Sequence, residues 1–306
     1  MSKKHMTNRQ FDQLFPSDDA CLEHIFRTRY GDRFDCPKCG KEAHYYRVAS
    51  RRCHECEHCG HQVYATVGTP FEKSRTSLRT WFQVMFMFCT TRNGVAAKEI
   101  QRATGVTYKT AWRMGHEIRK YMAYVDGDAP LGGDGPGYPI VEADKAFIGG
   151  KDKRGKDDKA VVLGMVERKG NVLTRVVKDR RATSVLPVVA EFVKPGSRVA
   201  TDEAKAFGDL RSVGYRHGTI NHRKGEYVRG SVHTNTIEAF WANLKRGIKG
   251  THVWVSKKHL SSYLGEFEFR HNLRRDGHLM LDVLLLAFPR AASQTASREA
   301  DDQSVA

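Results

Sequence analysis

Three acidic residues and four cysteines carry the chemistry that this sequence can do. Asp144 lies in Ile140-Val141-Glu142-Ala143-Asp144, and Asp202 lies in Val199-Ala200-Thr201-Asp202-Glu203. Glu238 follows with 35 residues between it and Asp202. Hard divalent cations take oxygen ligands, so carboxylates must be brought together from separate elements. Two Mg²⁺ ions about 3.5–4 Å apart can activate an attacking oxygen and stabilise a leaving oxygen in line across a phosphodiester. Lys245 comes seven residues after Glu238, nearly above it on one helix face, where a cation suits a phosphate. Alternatives stand beside this trio. Glu142 shares a strand face with Asp144, and Glu203 or Glu226 could replace a misassigned carboxylate.

The cysteines repeat one device. Cys36-Pro37-Lys38-Cys39-Gly40 and Cys56-Glu57-His58-Cys59-Gly60 are two C-x-x-C turns, each followed by a glycine. Such a turn puts both sulfurs on one side, and the glycine permits the tight backbone behind them. Four thiolates suit one tetrahedral zinc ion with no open position, which is a structural role. Sixteen residues separate Cys39 from Cys56, consistent with a zinc ribbon. Cys53 competes, because Cys53 and Cys56 also form a C-x-x-C. Gly60 repeats the placement of Gly40 and favours Cys56 with Cys59. Cys21 and Cys89 read as ordinary buried thiols.

Rigid elements must position these groups. Residues 139–148, 160–168, 172–177 and 198–201 alternate or run apolar as strands do, and residues 183–193 read as a helix. Ile237, Phe240, Trp241, Leu244 and Ile248 form the apolar stripe of a helix over 236–248, and Glu238 borders it. Residues 257–273 form another amphipathic helix. Strands followed by a helix, a strand and more helices indicate an α/β domain. Ahead of it, residues 34–69 read as short strands and turns, and residues 78–92 as a buried helix. Residues 95–121 read as two helices broken at Gly105, a helix-turn-helix pattern. Ile100 and Val106 would fill its core, and Thr107 would cap its second helix. Tyr108, Lys109, Trp112 and Arg113 would face DNA.

The 306 residues carry a formal charge of +16, which favours a polyanionic partner, nucleic acid first. Residues 75–120 hold nine Lys or Arg against two Glu, and residues 245–275 hold eight against two. Neither 81–89 nor 279–288, the longest apolar runs, could span a bilayer, so no membrane association and a cytoplasmic location are expected. Gly149-Gly150-Lys151 is too short for a phosphate loop and reads as a turn.

With these motifs in place, the chain resembles DDE-superfamily bacterial insertion-sequence transposases with an N-terminal zinc ribbon, the ISXO2-like group. The likeness rests on CPKCG with CEHCG, GTPFEKS with Trp81, and GVTYKTAWRM. It continues in VEADKAFIGGK, ATDEAKAF, INHRKGEYV, VHTNTIEAFWANLKRGIKGTH and HLSSYLGEFEFRHNLR. The resemblance implies an α/β ribonuclease-H-like catalytic domain preceded by a zinc ribbon and a helix-turn-helix domain. The expected boundaries are 1–30 for an N-terminal segment, 31–72 for the ribbon and 73–125 for the helical DNA-binding domain. A linker at 126–139, the catalytic domain at 140–290 and a disordered tail at 291–306 complete them. Asp144, Asp202 and Glu238 correspond to the family's catalytic acids and Lys245 to its lysine. Two catalytic Mg²⁺ (with Mn²⁺ as a substitute), one structural Zn²⁺, inverted-repeat and target double-stranded DNA contacted also by Lys245 and Arg246, a homo-oligomer and a nucleoid-associated location follow from it. A non-catalytic DNA-binding regulator is the alternative reading. Lys145 departs from the family, in which an acidic residue is common after the first aspartate.

Overall fold

The computed structural model describes residues 6–150 and 159–289. Lys151, read above as part of a turn, and the tail 291–306, expected to be disordered, lie outside the described residues. The chain forms two compact units, one of residues up to 121 together with those from 276, the other of residues 122–275.

In the first unit, α1 (Asn8–Leu14) starts in a capping box. Thr7 Oγ1 accepts the Gln10 N–H at 3.3 Å, and Gln10 Oε1 accepts the Thr7 N–H at 2.9 Å. Ser17 caps α2 (Asp18–Tyr30). A β1–β2 hairpin (Phe34–Asp35, Glu42–Ala43) precedes an antiparallel sheet of β3 (Tyr45–Val48), β4 (Cys53–Cys56) and β5 (Gln62–Val63). Residues 1–30 are not a separate segment. Phe26 of α2 stacks on His54 of β4 at 4.0 Å, and Asp19 holds Arg47 at 2.7 Å. The small ribbon sheet cannot bury its own aromatic face, so α2 covers it.

Three helices follow: α3 (Leu78–Thr90), α4 (Ala97–Thr104) and α5 (Tyr108–Asp126). The helix Met280–Ala287 joins them, so the expected 140–290 domain loses its end. Phe288 is the reason. It lies 5.5 Å from Phe71 and 4.1 Å from Tyr121, within an aromatic core that also holds Trp81.

The second unit is built on a five-stranded sheet in the order β10-β9-β6-β7-β8. β6 (Val141–Ile148), β7 (Ala160–Glu167) and β8 (Val172–Val177) run antiparallel, while β9 (Arg198–Thr201) and β10 (Arg216–Thr219) run parallel to β6. The α6 crossover (Ala182–Phe192) returns the chain from β8 to β9. Its Val185 and Val189 pack with Val141, Ala143 and Phe207 on one sheet face. On the other face α7 (Asn235–Gly247) and α8 (Lys257–Asn272) pack through Ile237, Trp241, Leu244, Leu260 and Leu264 against Ala146, Ile148 and Val162. α8 also serves the sheet edge, because Glu268 and Asn272 accept the N–H groups of Thr174 and Val172 at 2.9 and 2.8 Å. β10 is the strand that sequence patterning does not reveal. Its Arg-His-Gly-Thr has no apolar alternation.

Gly164 on β7 sits opposite Asp144 and beneath Trp241. A Cβ there would stand 2.7 Å from Trp241 Cη2 and 2.9 Å from Ile237 Cδ1. Gly164→Val should therefore cost about 1–3 kcal/mol by overpacking. Chemical denaturation would measure it, and a shift in tryptophan fluorescence should accompany it.

Candidate functional site

The four expected cysteines converge. The sulfurs of Cys36, Cys39, Cys56 and Cys59 all lie within 4.8 Å of one another, with Cys36 to Cys59 at 3.6 Å and Cys39 to Cys56 at 4.0 Å. Zn–S bonds of about 2.3 Å at tetrahedral angles set sulfurs roughly 3.8 Å apart, so the cluster fits zinc. The two knuckles share their backbone bonds. The N–H of Gly40 reaches the Cys36 carbonyl at 2.8 Å, and that of Gly60 reaches the Cys56 carbonyl at 2.9 Å. Both glycines have positive φ, 69° and 65°. Cys53 is fully buried on β4 and takes no part in the cluster. Cys21 and Cys89 are buried thiols.

The acidic residues are positioned by β6, β9 and α7. Ala143 pairs with Thr201 in the parallel β6–β9 ladder, so Asp144 and Asp202 each stand one residue beyond that pair. They feel one another. Burial first, and then the charge of Asp202, push the Asp144 carboxyl up to about 6. The Lys145 backbone N–H, the Lys145 charge and the Trp241 indole oppose the rise. Trp241 Nε1 donates to Asp144 Oδ2 at 3.1 Å. Asp202 Oδ1 accepts the Ala204 N–H at 3.1 Å. Two neighbouring carboxylates, one of them largely buried, make a place where a cation would relieve repulsion.

Glu238 is on the same helix as Trp241, one turn earlier, but its carboxylate has other partners. Oε1 accepts the Thr234 hydroxyl at 2.6 Å and lies 3.4 Å from His222 Nε2. Among the described residues the cysteine cluster is the one group whose ligand atoms already gather for a metal. The structure thus brings Asp144 and Asp202 together and leaves Glu238 turned to Thr234 and His222. Lys245 and Arg246 are exposed in the last turn of α7.

Glu142, the rival ligand, is committed elsewhere. It is fully buried, and its two oxygens accept the backbone N–H groups of Thr236 (2.7 Å) and Ile237 (3.1 Å), the Thr236 hydroxyl (3.0 Å) and Arg168 Nε (2.7 Å). It caps α7 from a strand 94 residues earlier, where Thr234 makes no side-chain cap. Arg168 also donates to the Ser231 and His233 carbonyls at 2.6 and 3.0 Å, so one ion pair ties β6, the end of β7 and the approach to α7. The other rivals are also occupied. Glu203 accepts the His222 N–H and Glu226 the Asn221 N–H, each at 3.1 Å. Sequence reasoning passes over Arg168. Its only signal is a position just after a strand.

In the first unit Gly105 ends α4 with φ 72°, and Thr107 Oγ1 accepts the Thr110 N–H at 3.3 Å to start α5. Ile100 is buried and Val106 half-buried. Tyr108, Lys109 and Trp112 are exposed. Arg113 is exposed too, yet its guanidinium lies 5.6 Å above the Trp81 ring and reaches Ser74 Oγ at 3.5 Å, so packing already uses part of it.

Two measurements check these assignments. Cys56→Ser should release the zinc and unfold the ribbon, whereas Cys53→Ser should keep one zinc per chain by elemental analysis. Glu142→Gln should cost about 3 kcal/mol in chemical denaturation, since it leaves Arg168 without its charge partner and weakens the α7 cap.

Comparison with known proteins places both parts of the chain in transposase families. Residues 130–272 match the family model of the ISXO2-like transposase domain, and residues 16–62 match that of the transposase zinc-ribbon domain. The latter begins inside the segment before the expected ribbon, where α2 packs. An uncharacterized protein in transposable element ISH50 of Halobacterium salinarum is 28% identical over 89% of this chain and 97% of its own length. An uncharacterized transposase-like protein of Haemophilus influenzae is 33% identical over 34% of this chain and 83% of its own length. No solved structure matches. Among the described residues no helix is long and apolar enough to cross a membrane. With a transposase domain and a transposase zinc ribbon in one chain, this protein belongs to the ISXO2-like transposases.

Proposed function

We propose that this protein is the transposase of a bacterial insertion sequence. It binds the ends of its element and catalyses Mg²⁺-dependent strand cleavage and strand transfer by in-line phosphoryl transfer. The observation that carries the reading is that Asp144 and Asp202 stand side by side, one residue beyond the Ala143–Thr201 pair, with Asp144 hydrogen-bonded by Trp241 of the helix that also bears Glu238. An antiparallel β6–β7–β8 half joined through a helix to parallel β9 and β10 supports a ribonuclease-H-like fold for this domain.

Asp144, Asp202 and Glu238 would hold two Mg²⁺ ions, or Mn²⁺ in their place. Ions bound there activate the attacking oxygen and offset charge on the leaving one. The protein's own part is positioning. Trp241 orients Asp144, and Glu142 with Arg168 fixes where α7 begins. Glu238 is 48% exposed and would give up its contacts with Thr234 and His222 to hold a cation. Lys245, farther along α7, steadies a phosphate. Water attacks first and frees a 3′-hydroxyl, which then attacks target DNA at the same site. The zinc ribbon and the α4–α5 pair, read as a helix-turn-helix, hold double-stranded DNA through Tyr108, Lys109, Trp112 and Arg113, with Lys245 and Arg246 along the backbone. Two element ends call for a homo-oligomer on DNA in the cytoplasm, at the nucleoid.

The test incubates purified protein with Mg²⁺ and DNA bearing the flanking inverted repeats. Strand joining is expected. Cleavage without joining would mean a nuclease, and binding alone a non-catalytic regulator. Glu238→Gln should lower cleavage by a factor of about a hundred or more while end binding stays within about twofold in a gel-shift assay.

A further inference from the structure

We propose that Val253 and Trp254, at the tip of the connection between α7 and α8, hold an unpaired base of a DNA strand laid along α7. The inference rests on the DNA-binding part of the function proposed above and adds a base-stacking contact to it.

After α7 the chain makes one π-helical turn (Ile248–His252) and then reverses, with the Trp254 N–H donating to the His252 carbonyl at 2.7 Å. Val253 is the middle residue of that reversal, at φ 65° and ψ −51°. This is a γ-turn of the rare, strained kind, and a β-branched side chain suits it poorly. A glycine would make the same turn without strain. Both flanks are anchored. Val255 is buried in the cluster that holds Leu260 and Ile148, Ile248 packs against that cluster, and the His252 ring meets the Tyr263 ring edge to face at 4.8 Å. Between these anchors Val253 is 81% and Trp254 59% exposed, whereas Trp81 and Trp241 are buried. The fold gains nothing from two large apolar side chains in water. A strained backbone that displays them points to a contact outside the chain.

Charge identifies the partner. Between Glu238 and Glu266 the sequence holds Lys245, Arg246, Lys249, Lys257 and Lys258 and no acidic residue. All five cations are exposed. Cations that follow phosphates, around an aromatic ring that takes the face of a base, are the means by which single strands are held. The cations also continue from the acidic site. Glu238, Ala242, Lys245 and Lys249 follow at helical intervals and are all exposed, so one face of α7 leads from Glu238 toward the tip. Glu238 to Gly247 spans about 14 Å of helix, roughly four nucleotide steps of ~3.4 Å. A strand with a phosphate at the acidic site therefore reaches the tip within a few nucleotides. There Trp254 stacks on its base and Val253 wedges beside it. A closed duplex hides its base faces, so the contact selects DNA that has opened or frayed near the point of cleavage.

The experiment uses the full chain with zinc in place and reads binding of labelled DNA by fluorescence anisotropy without divalent ion, so cleavage plays no part. The probes are a duplex, the same duplex with a short thymidine overhang, and that overhang made abasic. Trp254→Ala should weaken binding to the thymidine overhang about five- to a hundredfold, and binding to the abasic and fully paired probes by less than about twofold. Trp254→Phe, which keeps a ring, should restore most of the loss. Loss on an overhang of the inverted repeat assigns the base to the element end, and loss on an overhang of unrelated sequence assigns it to the target. Equal losses on the thymidine and abasic probes, or no loss on either, overturn the proposal. So does a Trp254→Ala protein whose preference for bases is unchanged while light scattering shows a smaller assembly, which would make the tip a contact between copies. If the unsubstituted protein binds none of the probes, the DNA-binding reading itself falls. If it binds the duplex and Trp254→Ala leaves the thymidine overhang as tightly held, the stacking contact alone falls.

Discussion

The second unit depends on one buried carboxylate. Glu142 is enclosed by protein on all sides, a costly position for a charge unless every lone pair is used. It meets that condition with two backbone amides, a hydroxyl and a guanidinium. The amides are the first free donors of α7, so the carboxylate sits where the helix dipole is positive. Because Glu142 and Asp144 are two residues apart on β6, fixing the start of α7 at Glu142 fixes what stands over Asp144. One turn in is Glu238, and the next is Trp241, whose indole reaches Asp144. Small shifts of α7 would break either bond. The Gly164 floor makes the same demand from below, since only a residue without Cβ leaves room for the Trp241 ring.

Much of this was legible in the sequence, for reasons that differ by element. The zinc knuckles are local: two cysteines and a glycine close each turn with bonds spanning a few residues, so spacing alone identifies them. β6, which carries Asp144, and β9, which leads into Asp202, have strong apolar patterns, and α7 announces itself by its stripe. The long-range contacts were not legible. Nothing near Glu142 says that its partners are Thr236 and Ile237, because the bond closes a loop of 94 residues. The helix Met280–Ala287 reads as an apolar run, and only the folded chain tells which core Phe288 enters. The first two helices were missed for the opposite reason. Thr7 with Gln10 and Ser17 with Ala20 are good caps, but the segment between them is polar and shows little apolar period.

The two candidate metal centres differ in how far the polymer itself assembles them. At the ribbon the backbone does the work. The amide of His58 points at Cys56 Sγ at 3.4 Å, and the glycines bend the chain behind each pair. The sulfurs consequently stand at near-tetrahedral separations already. At the carboxylate centre the ligands are like charges, and bringing three together without a cation is uphill in a site as sheltered as that of Asp144. The structure sets Asp144 and Asp202 beside one another on β6 and just past β9, and turns Glu238 toward Thr234 and His222. On the proposed function, a site arranged this way would stay incomplete until a divalent ion supplied the missing attraction. Its last ligand rests on a helix whose position Glu142 has already set, so only a side chain, and not the backbone, has to move.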